Sequence, residues 1–473
     1  MGSTRRTVTP ARPCYATYST WVQTERGHIL APGLYHHGIR DDKETDTFVC
    51  SPLEVLPITS DERGENYGRL IRLLPIGGAW REWAAPMDML AGDGSALRAV
   101  FPYGQRRALM DYLMSSKPKR HAMAVTRTGW HGPSLFVMPR KVIGGGDVVF
   151  QSSEAGGHEY ATAGDLTGWQ TEVGARGLGN PILMLAVCSA LAGPLLPLLD
   201  ADGGGFHILG DSSSGKSIAL LVGASVWGKP RDFLRTWNAT STGLEGVATL
   251  RNDTLLVLDE IGEAKPQAVG SIIYALGNGT GRQRGKVSGL PRQVQKWRVI
   301  VLSSGKLTMG KHMESAGIRS KAGQELRLLD IPAYRLYGAF DDLHGLDLPH
   351  DANEEGRKGA GRTFADALKR SASRHYGHLG PAFVALLVGR NRGPDGEPLD
   401  DAGREQVAAD LEAVYAEIRQ ALPVGTGQEA RAVGRFAIAA LAGEMAIQAG
   451  LLRWPPGTAR DTMLALFNDW VNF

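Results

Sequence analysis

The sequence predicts an α/β fold class, with a parallel-sheet core between a β-rich N-terminal domain and an α-helical C-terminal region. Three observations lead there. Between positions 166 and 345, continuous apolar runs alternate with stretches of helical spacing, the order expected of a parallel sheet wrapped by helices. From 49 to 165, short runs such as 53–56, 69–73 and 148–150 are bounded by Gly, Pro, Asn and Asp and read as strands and turns. From 346 to 473 apolar residues recur at helical intervals. Residues 1–48 alternate polar and apolar without a clear period and read as a loosely held β-type extension.

Composition excludes little. The chain has 473 residues, 52 basic and 49 acidic, for a net charge of +3, so bulk charge selects no partner. The length suits roughly two to four domains. Cys14, Cys50 and Cys188 are scattered without metal-ligand spacing, which argues against a zinc site or a disulfide framework and for a reducing, cytoplasmic setting. The opening MGSTRRTVTPARP lacks an apolar core and is no secretory signal.

Taken in order, the β-rich domain holds one expected helix, over 106–114, with Leu109, Met110 and Leu113 on one face. Trp80, Trp83 and Trp130 read as packing residues, with base stacking as the functional alternative. Residues 152–167 are polar and Gly-rich, a linker. The uncharged stretch 180–199 is about long enough to span a membrane, but Gly193, Pro194 and Pro197 interrupt it. A buried helix over 182–191 is expected, and no membrane partner.

The run FHILGDSSSGKS (206–217) organises the core. A short strand leads into Gly210, Asp211, Ser212, Ser213, Ser214, Gly215, Lys216 and Ser217, matching G-x-x-x-x-G-K-[ST], and a helix follows. Small residues let backbone N–H groups close around phosphate oxygens, and the helix N-terminus faces the same anion. Lys216 is the candidate for the β- and γ-phosphates and Ser217 for Mg²⁺. The apolar run 254–258 ends in Asp259 and Glu260, at the edge where parallel sheets bind ligands. Asp259 is the candidate for the metal shell and Glu260 for orienting water. Together the motifs predict ATP and Mg²⁺ as cofactors.

Residues 233–240 read as a strand, with Asn238 near its end as a residue that could hold Glu260, or simply cap a turn. A helix is expected over 266–278. A strand over 299–302 then ends in Ser303 and Ser304, candidates for sensing the γ-phosphate or for an ordinary turn. Ten basic residues and one acid, Glu314, fall between 282 and 321. Within them RQRGKVSGLP (282–291) reads as a basic hairpin, with Arg282, Arg284 and Lys286 tracking a phosphate backbone, against the alternative of a solvated charged face. Arg319 and Arg327 follow the sensor strand as candidate arginine fingers; Arg327 is favoured, against a local salt bridge to Glu325 or Asp330. Beyond 350, helices are expected over 364–373, 408–422, 430–449 and 462–472, with polar connectors at 351–362 and 391–401.

CSPLEVLPITSDERGENYGRLI (50–71), RTGWHG (127–132), GFHILGDSSSGKS (205–217), SVWGKP (225–230), WNATSTGLEGVA (237–248), LVLDEIGE (256–263), VLSSGK (301–306), AGQELRLLDIPA (322–333) and RFAIAALAGEMAIQAGL (435–451) together resemble the domain-of-unknown-function 927 family. The resemblance implies a P-loop AAA+ ATPase core near the minichromosome-maintenance helicases. It also implies replicative helicases of mobile genetic elements such as staphylococcal cassette chromosomes and pathogenicity islands. On that basis a homo-oligomeric hexamer acting on single-stranded or forked DNA, 3′ to 5′, is expected, with a primase or polymerase of the same element as a candidate partner. Gly305-Lys306 departs from the family's Gly-Glu at that point, and the primase-type domain of some relatives is absent from this sequence. The competing expectation is a nucleotide-dependent regulatory or defence ATPase switch without helicase activity; a small-molecule kinase fits the long β-rich region less well.

Overall fold

The structure is a computed structural model, and it describes residues 6–75, 78–91, 105–151, 157–281, 294–346 and 353–473. The chain divides into two compact units, residues 1–126 with 145–156, and residues 127–144 with 157–473.

In the smaller unit Cys14–Tyr18, Gly33–Arg40 and Lys43–Cys50 form an antiparallel sheet. Arg6–Val8, Val22–Thr24 and Ile29–Leu30 form a mixed sheet, the first pair parallel and the second antiparallel. A third runs in the order Val148–Phe150, His121–Val125, Leu53–Ser60, Gly68–Leu73, Arg81–Pro86. The expected boundary at 48 falls inside the Lys43–Cys50 strand, and Leu34, Val49, Leu53 and Ile71 share one core with Leu109 and Leu113 of the helix Arg106–Ser115. Residues 6–48 are therefore part of this unit's sheets rather than a loose extension.

The larger unit is built on a five-stranded sheet in the order Arg235–Thr236, Thr254–Asp259, Val299–Gly305, Gly204–Leu209, Leu328–Pro332, every neighbouring pair parallel. The central strands are buried on both faces, which is why they read as unbroken apolar runs. Pro181–Ala192 is a helix buried on every side, and no described helix is long and apolar enough to cross a membrane. The C-terminal helices Glu354–Arg374, Leu379–Arg390, Asp401–Ala421, Gly427–Gln448 and Thr458–Val471 share a core with this sheet, and Phe436 meets Phe206 edge-on at 5.1 Å. Residues 127–144, expected with the β-rich domain, lie in this unit because Trp130 and Phe136 join its core and Trp130 Nε1 donates to the Pro194 carbonyl at 2.9 Å.

Three local expectations change. Only Arg235–Thr236 of 233–240 is strand, because Pro230 opens a helical turn, Pro230–Phe233, immediately before it. The expected connector 351–362 is helical from Glu354. Its Gly361 is no turn signal: a Cβ there would lie 2.5 Å from the Tyr337 carbonyl, so glycine serves a close approach. The helix Leu379–Arg390 is masked in the sequence by Gly380 and Pro381, which the first helical turn tolerates.

Candidate nucleotide-binding site

The loop Gly210–Ser217 leaves the C-terminal end of the strand Gly204–Leu209 and enters the helix Lys216–Ser225. Gly215 caps that helix at φ 102°, where a side chain would be strained, and a Cβ on it would lie 2.6 Å from the Phe340 ring. The segment carrying Phe340 clasps the loop from outside, with Ala339 N–H donating to the Ser214 carbonyl at 2.7 Å. Lys216 is buried. Its Nζ donates to the carbonyl oxygens of Gly210 at 2.7 Å and Asp211 at 2.5 Å. Burial lowers its pKa, opposed by the nearby carboxylates of Glu260, Asp211 and Asp259.

The strand Val299–Gly305 lies between the loop's strand and the acidic strand Thr254–Asp259, so its end shares their crevice. There Asp259 Oδ1 accepts from Ser217 Oγ at 3.2 Å, from the Glu260 N–H at 3.1 Å and from Ser304 Oγ. Ser217, Asp259, Glu260 and Ser304 are thus brought together beside Lys216. A hydroxyl and a carboxylate side by side are the hard oxygen donors that suit Mg²⁺ sharing its shell with phosphates and water. Glu260 has φ 53° and ψ 83°, a left-handed conformation unusual for a side-chain-bearing residue, and its Oε1 accepts from the Gly262 N–H at 3.4 Å.

Other candidates lie elsewhere. The strand continues through Gly305 rather than ending at 302, so Ser303 and Ser304 point to opposite faces. Ser303 is fully buried and faces away from Asp259. Trp237 Nε1–H donates to Ser303 Oγ at 2.9 Å. His207 Nε2 lies 3.1 Å from the Leu307 carbonyl and so carries the proton, leaving Nδ1 to accept from Ser303 at 2.9 Å. Burial pushes His207 down to about 4, so it is neutral. Sequence reasoning missed His207 and Trp237 as supports of the strand Val299–Gly305; a His inside an otherwise apolar strand was the available signal. Asn238 is exposed, beyond the strand, and the structure does not join it to Glu260. Arg319 is exposed. Arg282, Arg284 and Lys286 lie outside the described residues.

Arg327 precedes the strand Leu328–Pro332, at the sheet edge opposite the phosphate loop. Five strand residues separate the two ends, about 16 Å at ~3.3 Å per residue. The local alternative, a salt bridge to Glu325 or Asp330, is not formed. The Arg327 guanidinium donates to Asn278 Oδ1 at 2.6 and 3.1 Å and to the Gly323 carbonyl at 2.7 Å, over the Tyr274 ring. Glu325 instead accepts from Ser320, and Asp330 from the Met309 N–H.

The class defined by fold and crevice is a mixed α/β protein with a parallel sheet whose C-terminal edge gathers a glycine-rich phosphate-loop sequence, a lysine and acidic residues. The chain belongs to the family described as domain of unknown function (DUF927), whose model matches residues 28–296. Among solved structures, "SCCmec type IV Cch - active helicase" superposes with a TM-score of 0.66 at 17% identity, covering 98% of this chain and 79% of that one, which shows a shared fold. A second, NtrX from Brucella abortus in complex with ADP, has a TM-score of 0.22 at 16% identity over 53% of this chain and 62% of that one. No curated protein matches the chain.

Proposed function

We propose that this chain is a P-loop AAA+ ATPase that couples ATP hydrolysis to translocation on, or unwinding of, single-stranded or forked DNA, as a replication helicase of a mobile genetic element. The observation that carries the reading is the meeting of Ser217 and Asp259 at 3.2 Å beside a buried Lys216 and next to Glu260. The loop N–H groups and Lys216 would hold the phosphate tail, and Ser217 with Asp259 would hold Mg²⁺, which when bound neutralises charge on the β- and γ-phosphate oxygens. Ser304 fixes the Asp259 carboxylate. Glu260 orients water and accepts its hydrogen bond. Burial of Lys216 raises the strength of its attraction for an anion, since the local dielectric is low. The structural neighbour, named as an active helicase, supports a DNA-directed role, as does the basic stretch from 282 to 321.

Arg327 supports assembly into a ring, with a hexamer as the expected form. It sits about 16 Å from its own phosphate loop, so a role at a γ-phosphate belongs to the loop of a second copy. The test is the ATPase rate of the full chain with and without single-stranded DNA, alongside solution mass with nucleotide. DNA-stimulated turnover by an oligomer is expected. Nucleotide binding without DNA stimulation would favour the switch reading instead.

A further inference from the structure

At the sheet edge opposite the phosphate loop, a cavity of about 490 Å³ opens between the sheet and the helices Asp401–Ala421 and Gly427–Gln448. Four arginines line it, Arg327, Arg419, Arg431 and Arg435, against a single carboxylate, Asp202. Arg431 and Arg435 are four residues apart on one helix and so share a face. None of the four forms an ion pair among the described residues. Arg435 is only partly satisfied: its Nη2 donates to the Gly203 carbonyl at 3.2 Å, while its Nε is buried with no acceptor. An unpaired buried donor of this kind carries a desolvation cost that a bound oxyanion would remove.

The backbone is shaped to admit these groups. A Cβ on Gly204 would lie 2.2 Å from Arg435 Nε, and one on Gly277 would lie 2.5 Å from Arg327 Cδ. Glycine at both positions leaves room for two guanidinium side chains that repel each other. Arg435 is accordingly held down to about 10, by burial first and by the charge of Arg327 next. Planar guanidinium forks match tetrahedral oxyanions in bidentate fashion, and the volume falls in the range of small-ligand sites. A phosphodiester brings one charge per phosphate, whereas four guanidiniums around one space suit several charges concentrated together.

We propose that this cavity is a second anion site, separate from the phosphate loop, that takes a compact polyphosphate group of the diphosphate class. It does not rest on the ATPase reading, and its test removes the loop from consideration. Inorganic diphosphate would be titrated calorimetrically into the full chain carrying Lys216→Ala, at fixed ionic strength. One saturable site is expected, weakened about tenfold in Arg431→Ser and again in Arg419→Ser. Both arginines are exposed and without ion pairs, so their replacement leaves the fold intact, checked by unchanged melting without ligand. Arg435→Lys, which keeps the charge but loses the fork, should weaken binding too. Absence of saturable binding, affinity unmoved by Arg431→Ser and Arg419→Ser together, or a short single-stranded oligonucleotide binding there in preference to diphosphate would each overturn the proposal. Because Lys216→Ala is the background throughout, these outcomes leave the ATPase assignment to its own assay.

Discussion

Replacing Glu260 by glycine should make the protein more stable and stop turnover. The residue sits at φ 53° and ψ 83°. Holding a side-chain-bearing residue in such a region costs about 1–3 kcal/mol. Glycine removes that cost, but it adds about 0.5–1 kcal/mol of unfolded-state entropy to be lost on folding. The weak contact from the Gly262 N–H to Oε1, at 3.4 Å, is lost as well. The net is a gain of up to about 2.5 kcal/mol, which in a unit this large is a rise of up to roughly 4 °C in melting temperature. Glu260→Gln is the control: it keeps the Cβ, and so the strain, and should melt with the parent while hydrolysing ATP at least about tenfold more slowly, ~1.4 kcal/mol of barrier. Thermal melting without nucleotide and phosphate release with ATP measure the two effects separately. A lower melting temperature for Glu260→Gly would show that the backbone is not strained there, and turnover in Glu260→Gln within tenfold of the parent would place the water-orienting group elsewhere.

Lys216→Ala should abolish ATP hydrolysis while far-UV circular dichroism stays that of the parent; normal turnover would reject the phosphate-loop assignment. Replacing Arg282, Arg284 and Lys286 together by Ala should weaken single-stranded DNA binding and flatten its salt dependence, with basal ATPase preserved; unchanged affinity in a fluorescence-anisotropy titration would move the DNA site elsewhere. Stability should fall as pH drops from 6.5 towards 4 on account of His207: its folded pKa is about 4 against an ordinary 6.5, so the unfolded chain binds the proton first. In that window His207→Asn should show a shallower slope of unfolding free energy against pH, and an equal slope would remove His207 as the cause. Mixing the inactive variants Lys216→Ala and Arg327→Ala should restore part of the ATPase activity, since some interfaces then pair an intact loop with an intact arginine. No recovery, where subunit exchange is demonstrated, rejects Arg327 in trans, and a mixture with Arg319→Ala tests the other candidate.

The parallel sheet was legible because its strands are buried on both faces and announce themselves as unbroken apolar runs, as at 254–258 and 299–302. The turn from the strand Gly204–Leu209 into the helix Lys216–Ser225 was legible because Gly215 sits at φ 102°, where a side chain would be strained. What sequence could not give was which way side chains face at an element's end. Ser303 and Ser304 are chemically identical neighbours, and assigning both to the crevice required the strand to stop at 302; its continuation to Gly305 sends them to opposite faces. Asn238 was placed by a strand expected over 233–240 that is two residues long, confined between the helical turn Pro230–Phe233 and the helix Ser241–Leu250 capped by Thr240. The arginine-lined cavity was invisible for a different reason. Its members come from positions 327, 419, 431 and 435, and only the packing of the C-terminal helices on the sheet edge brings them together.

The split between Ser303 and Ser304 also shows how the crevice is held. On one side of the strand, Ser304 fixes Asp259, and the Asp259 carbonyl accepts from the Trp237 N–H at 3.3 Å. On the other side, the Trp237 indole donates to Ser303, which in turn donates to His207 on the strand that delivers the phosphate loop. Trp237 therefore touches both the acidic strand and the hydroxyl strand, and His207 ties the latter to the loop's own strand. Trp237, Ser303 and His207 are all buried, so breaking either bond between them leaves a polar group without water to replace its partner. The relative height of Lys216, Asp259 and Ser304 is thus set by a polar network one layer below the crevice. Residues outside the crevice thus help set the spacing of Lys216 and the Asp259 carboxylate within it.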